Sequence, residues 1–241
     1  MTGWRSRTTF VLALSASAVG LGNLWRFSYL AGEHGGAPFV IAYVVCLFLV
    51  AVPLMVAEVA IGSHGRGGPV AALRWASDRS LLSRGWMVAG WLACLTGVLI
   101  MAYYIVVAGW SLAYARYMQS GAFAAASAAL VGENFSELLA QPLRQIYWQS
   151  LFLLLAATVV LFGVRRGLGL MVWLAVPCLI TILAGLVKFS LDNGDLEAAR
   201  EFLFGVKWID FSPQAVLVAL GHALFTLGVG VGTGISYGAY T

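Results

Sequence analysis

Charged side chains are scarce in this sequence. Asp, Glu, Lys and Arg make up 10% of its 241 residues and hydrophobic residues make up 61%, whereas an ordinary globular domain carries about 25% charged residues. The mean hydropathy is +0.89, so too few polar side chains are available to cover a soluble surface. This scarcity excludes most soluble folds and indicates a polytopic membrane protein. At about 20 apolar residues per span, the length accommodates roughly six or seven membrane helices.

Cysteine and histidine are also rare, with three residues of each type. Every cysteine lies inside an apolar run, where a thiol is usually a small buried hydrophobe, so neither a disulfide framework nor a metal cluster is indicated. The histidines show no metal-ligand spacing. His222 stands alone on an apolar segment and is expected to be a buried histidine with satisfied hydrogen bonds.

Six apolar segments, separated by polar or Gly-rich linkers, predict one all-α membrane domain over residues 1–241. The segments cover residues 9–30, 39–61, 85–114, 146–164, 168–189 and 213–237. The first is too long for a signal peptide, and no small-residue cleavage site follows it. We therefore expect it to be a retained helix.

Basic residues are distributed unequally between the linkers. With the amino terminus in the cytoplasm, the inside loops hold eight basic residues and one acid, and the outside loops hold five basic residues and eight acids. The positive-inside rule then predicts a multi-pass protein of the plasma (inner) membrane with both termini cytoplasmic. The net charge of +4 reflects these loops, so we expect contact with the lipid bilayer and none with nucleic acid.

Two glycine clusters interrupt the first and sixth segments. The first lies in residues 18–23, AVGLGN, and the second in residues 228–234, GVGVGTG. Glycine alone fits close helix packing through small-xxx-small spacing as well as an unwound stretch lining a cavity. Polar neighbours in the first segment favour unwinding, because an unpaired arginine at mid-helix costs about 2.5 to 3.5 kcal/mol. These neighbours are Ser15, Ser17, Asn23 and Arg26.

Paired broken helices in corresponding positions predict a transporter binding site. Unwinding frees backbone amides on one half-helix, which can bind a carboxylate, and carbonyls on the other, which can coordinate sodium. Asn23 and Thr226 can add neutral side-chain oxygens. Glu58, inside the second segment, either contributes polar groups to this region or reaches the cytoplasmic interface by snorkelling.

An enzyme is not indicated. Residues 234–238, GISYG, match the G-x-S-x-G nucleophile elbow, but that motif requires a strand-to-helix turn and here it ends a hydrophobic helix. A base at His222 would lie about 21 Å from Ser236 along a continuous helix, beyond hydrogen-bond reach.

Several stretches of the chain resemble the neurotransmitter:sodium symporter family, and its bacterial-type sodium-dependent amino-acid transporters in particular. Residues 18–27, AVGLGNLWRF, are similar to the family's first-helix signature. The similarity continues through Gly35-Gly36, residues 52–55 with Glu58, Tyr103-Tyr104, Trp110 and residues 225–230. It implies six transmembrane helices of a LeuT-type fold, which consist of the first inverted repeat, helices 1 to 5, and helix 6, with helices 1 and 6 broken by glycine.

The resemblance also implies a set of site residues. One sodium site would take the backbone carbonyls of Ala16 and Val19, and the other would take Ala18, Asn23 and Thr226. The substrate would contact the amides of Leu21 and Gly22, the Tyr104 hydroxyl, and a pocket formed by Ser17, Ile100, Phe225, Gly228 and Val231. Arg26 would belong to the extracellular gate, and Glu58 would support the structure of the site.

Two positions bear on the substrate and the ions. Family members that carry amines lacking a carboxylate have an aspartate where this chain has Gly20, which implies an amino-acid substrate. His222 stands where a glutamine is common, near Tyr43 in the region that holds chloride in some members. The sequence leaves chloride and proton dependence open.

The sequence therefore predicts the amino-terminal half of a sodium-coupled amino-acid symporter that works by alternating access. Sodium is the coupling ion, no organic cofactor is expected, and the expected partners are an amino acid, sodium and lipid. The alternative, from another class, is a non-transporting membrane protein, either a truncated remnant or an interaction module without ion sites. The length is interpreted as a truncation, because further ligands would lie on helices beyond the sixth.

Overall fold

The computed structural model describes residues 3–20, 22–80, 83–123, 127–206 and 211–241. Within these ranges the chain forms helices and turns without a strand, and Gly36 and Val206 make an isolated antiparallel bridge. The predicted all-α class is confirmed. The chain divides into two compact units, the first formed by Met1–Cys94 with Val164–Thr241 and the second by Leu95–Gly163.

Twelve α-helices are present in the described residues. In chain order they are α1 (Arg7–Ala18), α2 (Phe27–Glu33), α3 (Ala37–Cys46), α4 (Val52–Gly65), α5 (Pro69–Arg79), α6 (Met87–Gln119), α7 (Ala128–Ala140), α8 (Pro142–Leu161), α9 (Gly169–Asn193), α10 (Leu196–Phe204), α11 (Pro213–Leu227) and α12 (Thr233–Gly238). Three π-helical turns precede α2, α4 and α9, at Gly22–Arg26, Leu47–Ala51 and Val164–Leu168. The helix α6 runs from the first unit into the second.

Four helical stretches in the described part of the chain are long and apolar enough to cross a membrane. They are Ala37–Gly65, Arg84–Gln119, Pro142–Leu161 and Val164–Asn193, each at or above the length of about 20 residues that a span requires. The pair Arg7–Ala18 and Gly22–Glu33 makes a fifth span if it is counted as one helix bent by 52°. The sixth predicted segment contains two shorter helices of 15 and 6 residues. The protein is thus a multi-pass membrane protein, and the count of six spans stays a prediction.

Three short helices, α5, α7 and α10, lie in the polar linkers, where the sequence analysis predicts none. Side chains cap two of them: Ser127 accepts a hydrogen bond from the Leu130 amide, and Asp195 accepts one from the Ala198 amide. Such caps satisfy amides that have no partner inside the helix. At 11, 13 and 9 residues, these helices are shorter than the apolar runs of about 20 residues that indicate membrane spans.

The core of the first unit forms where α2, α3 and α11 meet. Ala31, Phe39, Ala215 and Ala219 are fully buried there, and Tyr43 packs against them. The small side chains of α11 allow its backbone to approach α3 closely. This packing holds the end of α11 beside the first broken segment.

The second unit is held together by aromatic side chains. The Trp110 indole donates a hydrogen bond to Gln145 Oε1, and the Tyr114 hydroxyl donates one to the Val131 carbonyl, each at 3.2 Å. The Trp110 ring also meets Phe135 edge-on, with 5.3 Å between ring centroids. These contacts attach α7 and α8 to α6 within the unit.

Helix α12 crosses α4 at backbone contact. A Cβ atom on Gly62 would overlap the backbone of Ile235, and one on Gly238 would overlap the backbone of Val59. Gly234 lies at the same crossing and is buried. Glycine therefore provides the close packing at this crossing, because any side chain would push the helices apart.

Gly62→Ala is expected to destabilise the protein by about 1–3 kcal/mol, the usual cost of adding atoms to a packed interior. The added methyl group would overlap the Ile235 backbone, which cannot rotate away. Gly185→Ala is the matched control, because Gly185 also lies inside a helix and a Cβ there meets nothing within 4 Å. Thermal unfolding in detergent measures the difference, and equal midpoints for the two variants would contradict the tight crossing.

Candidate functional site

The first apolar segment is broken between α1 and α2. Helix α1 ends at Ala18, and a π-helical turn, Gly22–Arg26, leads into α2. The Asn23 side chain donates a hydrogen bond from Nδ2 to the Ala18 carbonyl at 2.5 Å, so it engages an acceptor at the end of the helix, where carbonyls lack intrahelical partners. Single π-helical turns occur frequently at functional sites.

The sixth segment is broken between α11 and α12. The end of α11 is a Schellman motif, in which the Gly228 amide donates to the Phe225 carbonyl and the Val229 amide donates to the Leu224 carbonyl, each at 3.0 Å. A glycine in the left-handed conformation is the usual residue at this position. The motif ends α11 at Leu227, and Gly228 is the left-handed residue that follows it.

The stretch between α11 and α12 uses alternate glycines. Gly228, Gly230 and Gly232 have φ values of 65°, 84° and 75°, in a region that residues with a Cβ rarely adopt. The chain is therefore unwound here, which is one of the two possibilities that the glycines alone left open. Close packing is also present, but it involves glycines of α12.

The Glu58 carboxylate of α4 binds two backbone amides at this second break. Its Oε1 accepts a hydrogen bond from the Gly230 amide at 2.7 Å, and its Oε2 accepts one from the Gly234 amide at 3.2 Å. Hydrogen bonds to an ionised group are stronger than those between neutral groups. The side chain therefore contributes its polar groups to the second break, the first of the two predicted possibilities.

One hydroxyl group connects the two breaks. The Thr226 hydroxyl lies 3.0 Å from Asn23 Oδ1 and 2.9 Å from the His222 carbonyl, and it can donate its single hydrogen to either oxygen. The Tyr43 hydroxyl donates to Thr226 Oγ1 at 3.1 Å. Through Asn23, this network continues to Ala18. The structure thus brings together Ala18, Asn23 and Thr226, the three residues of one predicted sodium site.

The other predicted residues near the first break lie as follows. The Ser17 hydroxyl donates to the Leu14 carbonyl of its own helix at 2.7 Å, and the Ala16 carbonyl accepts from the Val19 amide at 3.3 Å. Gly22 is buried at the start of the π-helical turn. Leu21 lies outside the described residues. The roles of these residues stay predictions.

Arg26 ends the π-helical turn and is exposed. No carboxylate within the described ranges lies within 4 Å of its guanidinium group. Its role in a gate stays a prediction.

The remaining predicted pocket residues lie in different parts of the chain. Phe225 and Gly228 flank the end of α11, and Val231 is half-buried in the unwound stretch. Ile100 and Tyr104 lie on α6 in the second unit. There the Tyr104 ring packs edge-on against Tyr103, with 5.7 Å between centroids.

His222 is buried as expected, with 4% of its surface exposed. The expectation of satisfied hydrogen bonds is wrong, because neither ring nitrogen has a partner among the described residues. Aromatic rings surround the imidazole instead: the centroids of Phe27, Tyr43 and Phe225 lie 5.9, 5.5 and 6.4 Å away. Phe225 lies on the same helix as His222, and the resemblance places Tyr43 nearby, but Phe27 comes from α2 and no pattern around His222 indicates it.

The sequence analysis missed two contributors to this region. The glycine pattern predicts a break or close packing at residues 228–234 but no bond from the Gly230 and Gly234 amides to Glu58, and nothing in it connects the Tyr43 hydroxyl with Thr226. An acidic residue in one apolar segment and a glycine run in another are the signal for the first contact. No local pattern indicates the second.

Comparison with known proteins places this geometry in a family. The model of the Sodium:neurotransmitter symporter family matches residues 2–128. The chain belongs to this family. It is a family of transporters and not of enzymes, and the resemblance found in the sequence is confirmed.

A solved symporter structure shows the same fold. The crystal structure of MhsT in complex with L-phenylalanine aligns with a TM-score of 0.87 at 35% sequence identity. The alignment covers 100% of this chain and 54% of that chain. The described helices therefore correspond to part of the symporter fold.

Two curated relatives carry transporter names. The uncharacterized sodium-dependent transporter YhdH of Bacillus subtilis is 33% identical over 238 residues, which cover 98% of this chain and 52% of the relative. The sodium-dependent neutral amino acid transporter B(0)AT2 of Bos taurus is 24% identical over 267 residues, which cover 98% of this chain and 36% of the relative. The chain thus spans about half the length of YhdH and MhsT and a smaller share of the bovine transporter.

Glu58→Gln is expected to loosen the second break, because the side-chain amide offers one acceptor oxygen where the carboxylate offers two. One glycine amide then loses its partner, at a cost of about 1–3 kcal/mol. Hydrogen exchange of peptides covering residues 228–234 should become faster. Glu33→Gln is the control, since Glu33 is exposed at the end of α2, and equal exchange in both variants would contradict the role of Glu58.

Proposed function

We propose that this chain provides the sodium-binding and substrate-binding elements of a sodium-coupled amino-acid symporter that works by alternating access. It would span the plasma (inner) membrane with both termini in the cytoplasm. The observation that carries the proposal is the contact between Asn23 and Thr226, which joins the two broken segments through neutral oxygen atoms. The sodium-dependent names of the relatives support it.

The oxygens of Ala18, Asn23 and Thr226 suit sodium, because hard cations prefer oxygen ligands. The Thr226 hydroxyl can direct its hydrogen to the His222 carbonyl and accept from Tyr43, which leaves a lone pair for the ion. At Ala18, sodium would replace the Asn23 amide hydrogens as the partner of the carbonyl. No organic cofactor is needed for these steps.

The neutral ligands leave the charge of the ion uncompensated. A carboxylate brought by the substrate would balance it, and Gly20 provides no carboxylate of its own. Amides at the start of the π-helical turn, Gly22 among them, would hold the other side of the substrate carboxylate. Sodium and amino acid would therefore bind better together than separately.

Coupling follows from this mutual dependence. A ligand shifts a conformational equilibrium only by its differential affinity for the two states. Sodium and substrate bound between the breaks would favour one relative packing of the broken helices, and the effect of each on the affinity of the other must be reciprocal.

The substrate we propose is a neutral amino acid with a bulky apolar or aromatic side chain. Gly228 contributes no side chain to the pocket, and Val231 contributes a small one. MhsT was crystallised with L-phenylalanine, and the bovine relative is named a neutral amino acid transporter. Both names support an uncharged substrate side chain.

Uptake of tritiated L-phenylalanine into proteoliposomes containing the complete symporter, with this chain as its amino-terminal half, is expected to require external sodium. Asn23→Ala and Thr226→Ala should each raise the half-saturating sodium concentration about tenfold or more, equivalent to about 1.4 kcal/mol of lost binding free energy. The reason is the loss of one oxygen ligand in each variant.

Asn193→Ala and Thr181→Ala are matched controls, because those side chains bond only to carbonyls of their own helix. They should leave the sodium dependence unchanged. Equal uptake with choline in place of sodium would contradict the proposal. A protein that inserts and folds but takes up no amino acid under either condition would favour the non-transporting alternative.

Val231→Phe is expected to change the substrate preference, because the larger ring fills space in the proposed pocket. In a competition panel, phenylalanine, tryptophan and leucine should inhibit uptake by the unmodified protein more strongly than glycine or aspartate. The variant should lose about tenfold in affinity for phenylalanine and retain binding of alanine. An unchanged order of competitors would place Val231 outside the pocket.

A further inference from the structure

A cavity lies away from the two helix breaks, between the start of α1 and the start of α9. Its volume is about 390 Å³. The main lining side chains are those of Arg5, Ser6, Thr9, Arg165, Leu170 and Trp173. All belong to the first unit, and none is part of the proposed symport site.

Hydrogen bonds fix the floor of this cavity. Thr9 is 1% exposed, and its hydroxyl accepts a hydrogen bond from the Trp173 indole at 3.1 Å. Ser6 Oγ accepts from the Thr9 amide at 3.1 Å and lies 3.0 Å from Thr9 Oγ1. The floor therefore joins α1 to α9 and presents hydroxyl groups to the cavity.

The cavity has an unbalanced positive charge. Arg5 and Arg165 line it, no acidic residue does, and neither arginine has a carboxylate within 4 Å in the part of the chain that the structure describes. Two guanidinium groups with adjacent hydroxyls suit a phosphate, because guanidinium can bind phosphate oxygens in bidentate fashion. The ligand indicated is a phosphate group.

Apolar surface adjoins the two cations. Leu170 is 67% exposed and Trp173 is 49% exposed, and both line the same cavity. A free phosphate would leave these side chains without a partner, whereas the acyl chain of a lipid would cover them. Tryptophan and basic residues also concentrate where membrane proteins meet lipid headgroups.

We propose that this cavity binds the phosphate of an anionic phospholipid, with the acyl chain lying along Leu170 and Trp173. The positive-inside expectation assigns Arg5 and Arg165 to the cytoplasmic leaflet. Basic pockets between transmembrane helices on that side are suited to anionic headgroups. A bound lipid would connect the start of α1 to α9, independently of sodium and amino acid.

Native mass spectrometry of the full chain in detergent tests the proposal. With equal amounts of phosphatidylglycerol and phosphatidylcholine, the protein should retain phosphatidylglycerol at least fivefold more. The double variant Arg5→Gln/Arg165→Gln should lose this preference. Arg74→Gln/Arg79→Gln is the matched control, since it removes the same charge from α5, outside the cavity, and it should keep the preference.

Two results would overturn the proposal. Equal retention of phosphatidylglycerol by the two double variants would show that the lipid responds only to general positive charge. Displacement of the lipid by a tenfold excess of inorganic phosphate would show a site for soluble phosphate instead.

A second measurement does not depend on the arginine variants. Brominated phosphatidylglycerol should quench tryptophan fluorescence more than brominated phosphatidylcholine, and Trp173→Phe should remove the difference. Trp91→Phe is the control, because Trp91 is also exposed but does not line the cavity. Quenching that is equal for the two lipids, or unchanged in Trp173→Phe, would also overturn the proposal.

Discussion

The carboxylate of Glu58 accepts hydrogen bonds from backbone amides at the break in the sixth segment. An unwound stretch at membrane depth exposes amides that lipid cannot hydrogen-bond, at a cost of several kcal/mol for each group left without a partner. Glu58, which is half-buried, binds the amides of Gly230 and Gly234, and the same two bonds satisfy both of its carboxylate oxygens. The acidic residue in an apolar helix and the glycine-rich turn therefore supply each other's hydrogen-bond partners.

The position of Thr226 follows from that arrangement. With the break held open, α11 ends at Leu227, and its last turn lies against the first broken segment, where Thr226 meets Asn23. Both residues are neutral and both are close to helix ends. Because the pair lies between two helix ends, the side-chain oxygens of Thr226 and Asn23 are close to each other and to the last carbonyls of α1.

The two breaks could be predicted from the sequence because their causes are local. Glycine at 228, 230 and 232 permits positive φ, and polar side chains around Gly20 and Gly22 have no other reason to lie in an apolar segment. The environment of His222 could be predicted only in part, because Phe225 is three residues away on the same helix, whereas the Phe27 ring comes from α2. The short helix α10 depends on a cap and on contacts with α2 and α3, so its apolar residues are too few to show above the membrane spans.

The two halves of the broken sixth segment share one support. Helix α11 packs against α3 and the π-helical turn Leu47–Ala51, and α12 packs against α4; these three elements form the single continuous stretch Ala37–Gly65. Both α11 and α12 are therefore attached to this one helical stretch. A change in the angle between α11 and α12 would therefore shift one of these helices along the stretch Ala37–Gly65 or bend the stretch itself. Helix α12 lies against α4 at backbone contact through the glycine crossing, and π-helical turns are positions at which helices kink, so Leu47–Ala51 is the point at which this stretch can bend.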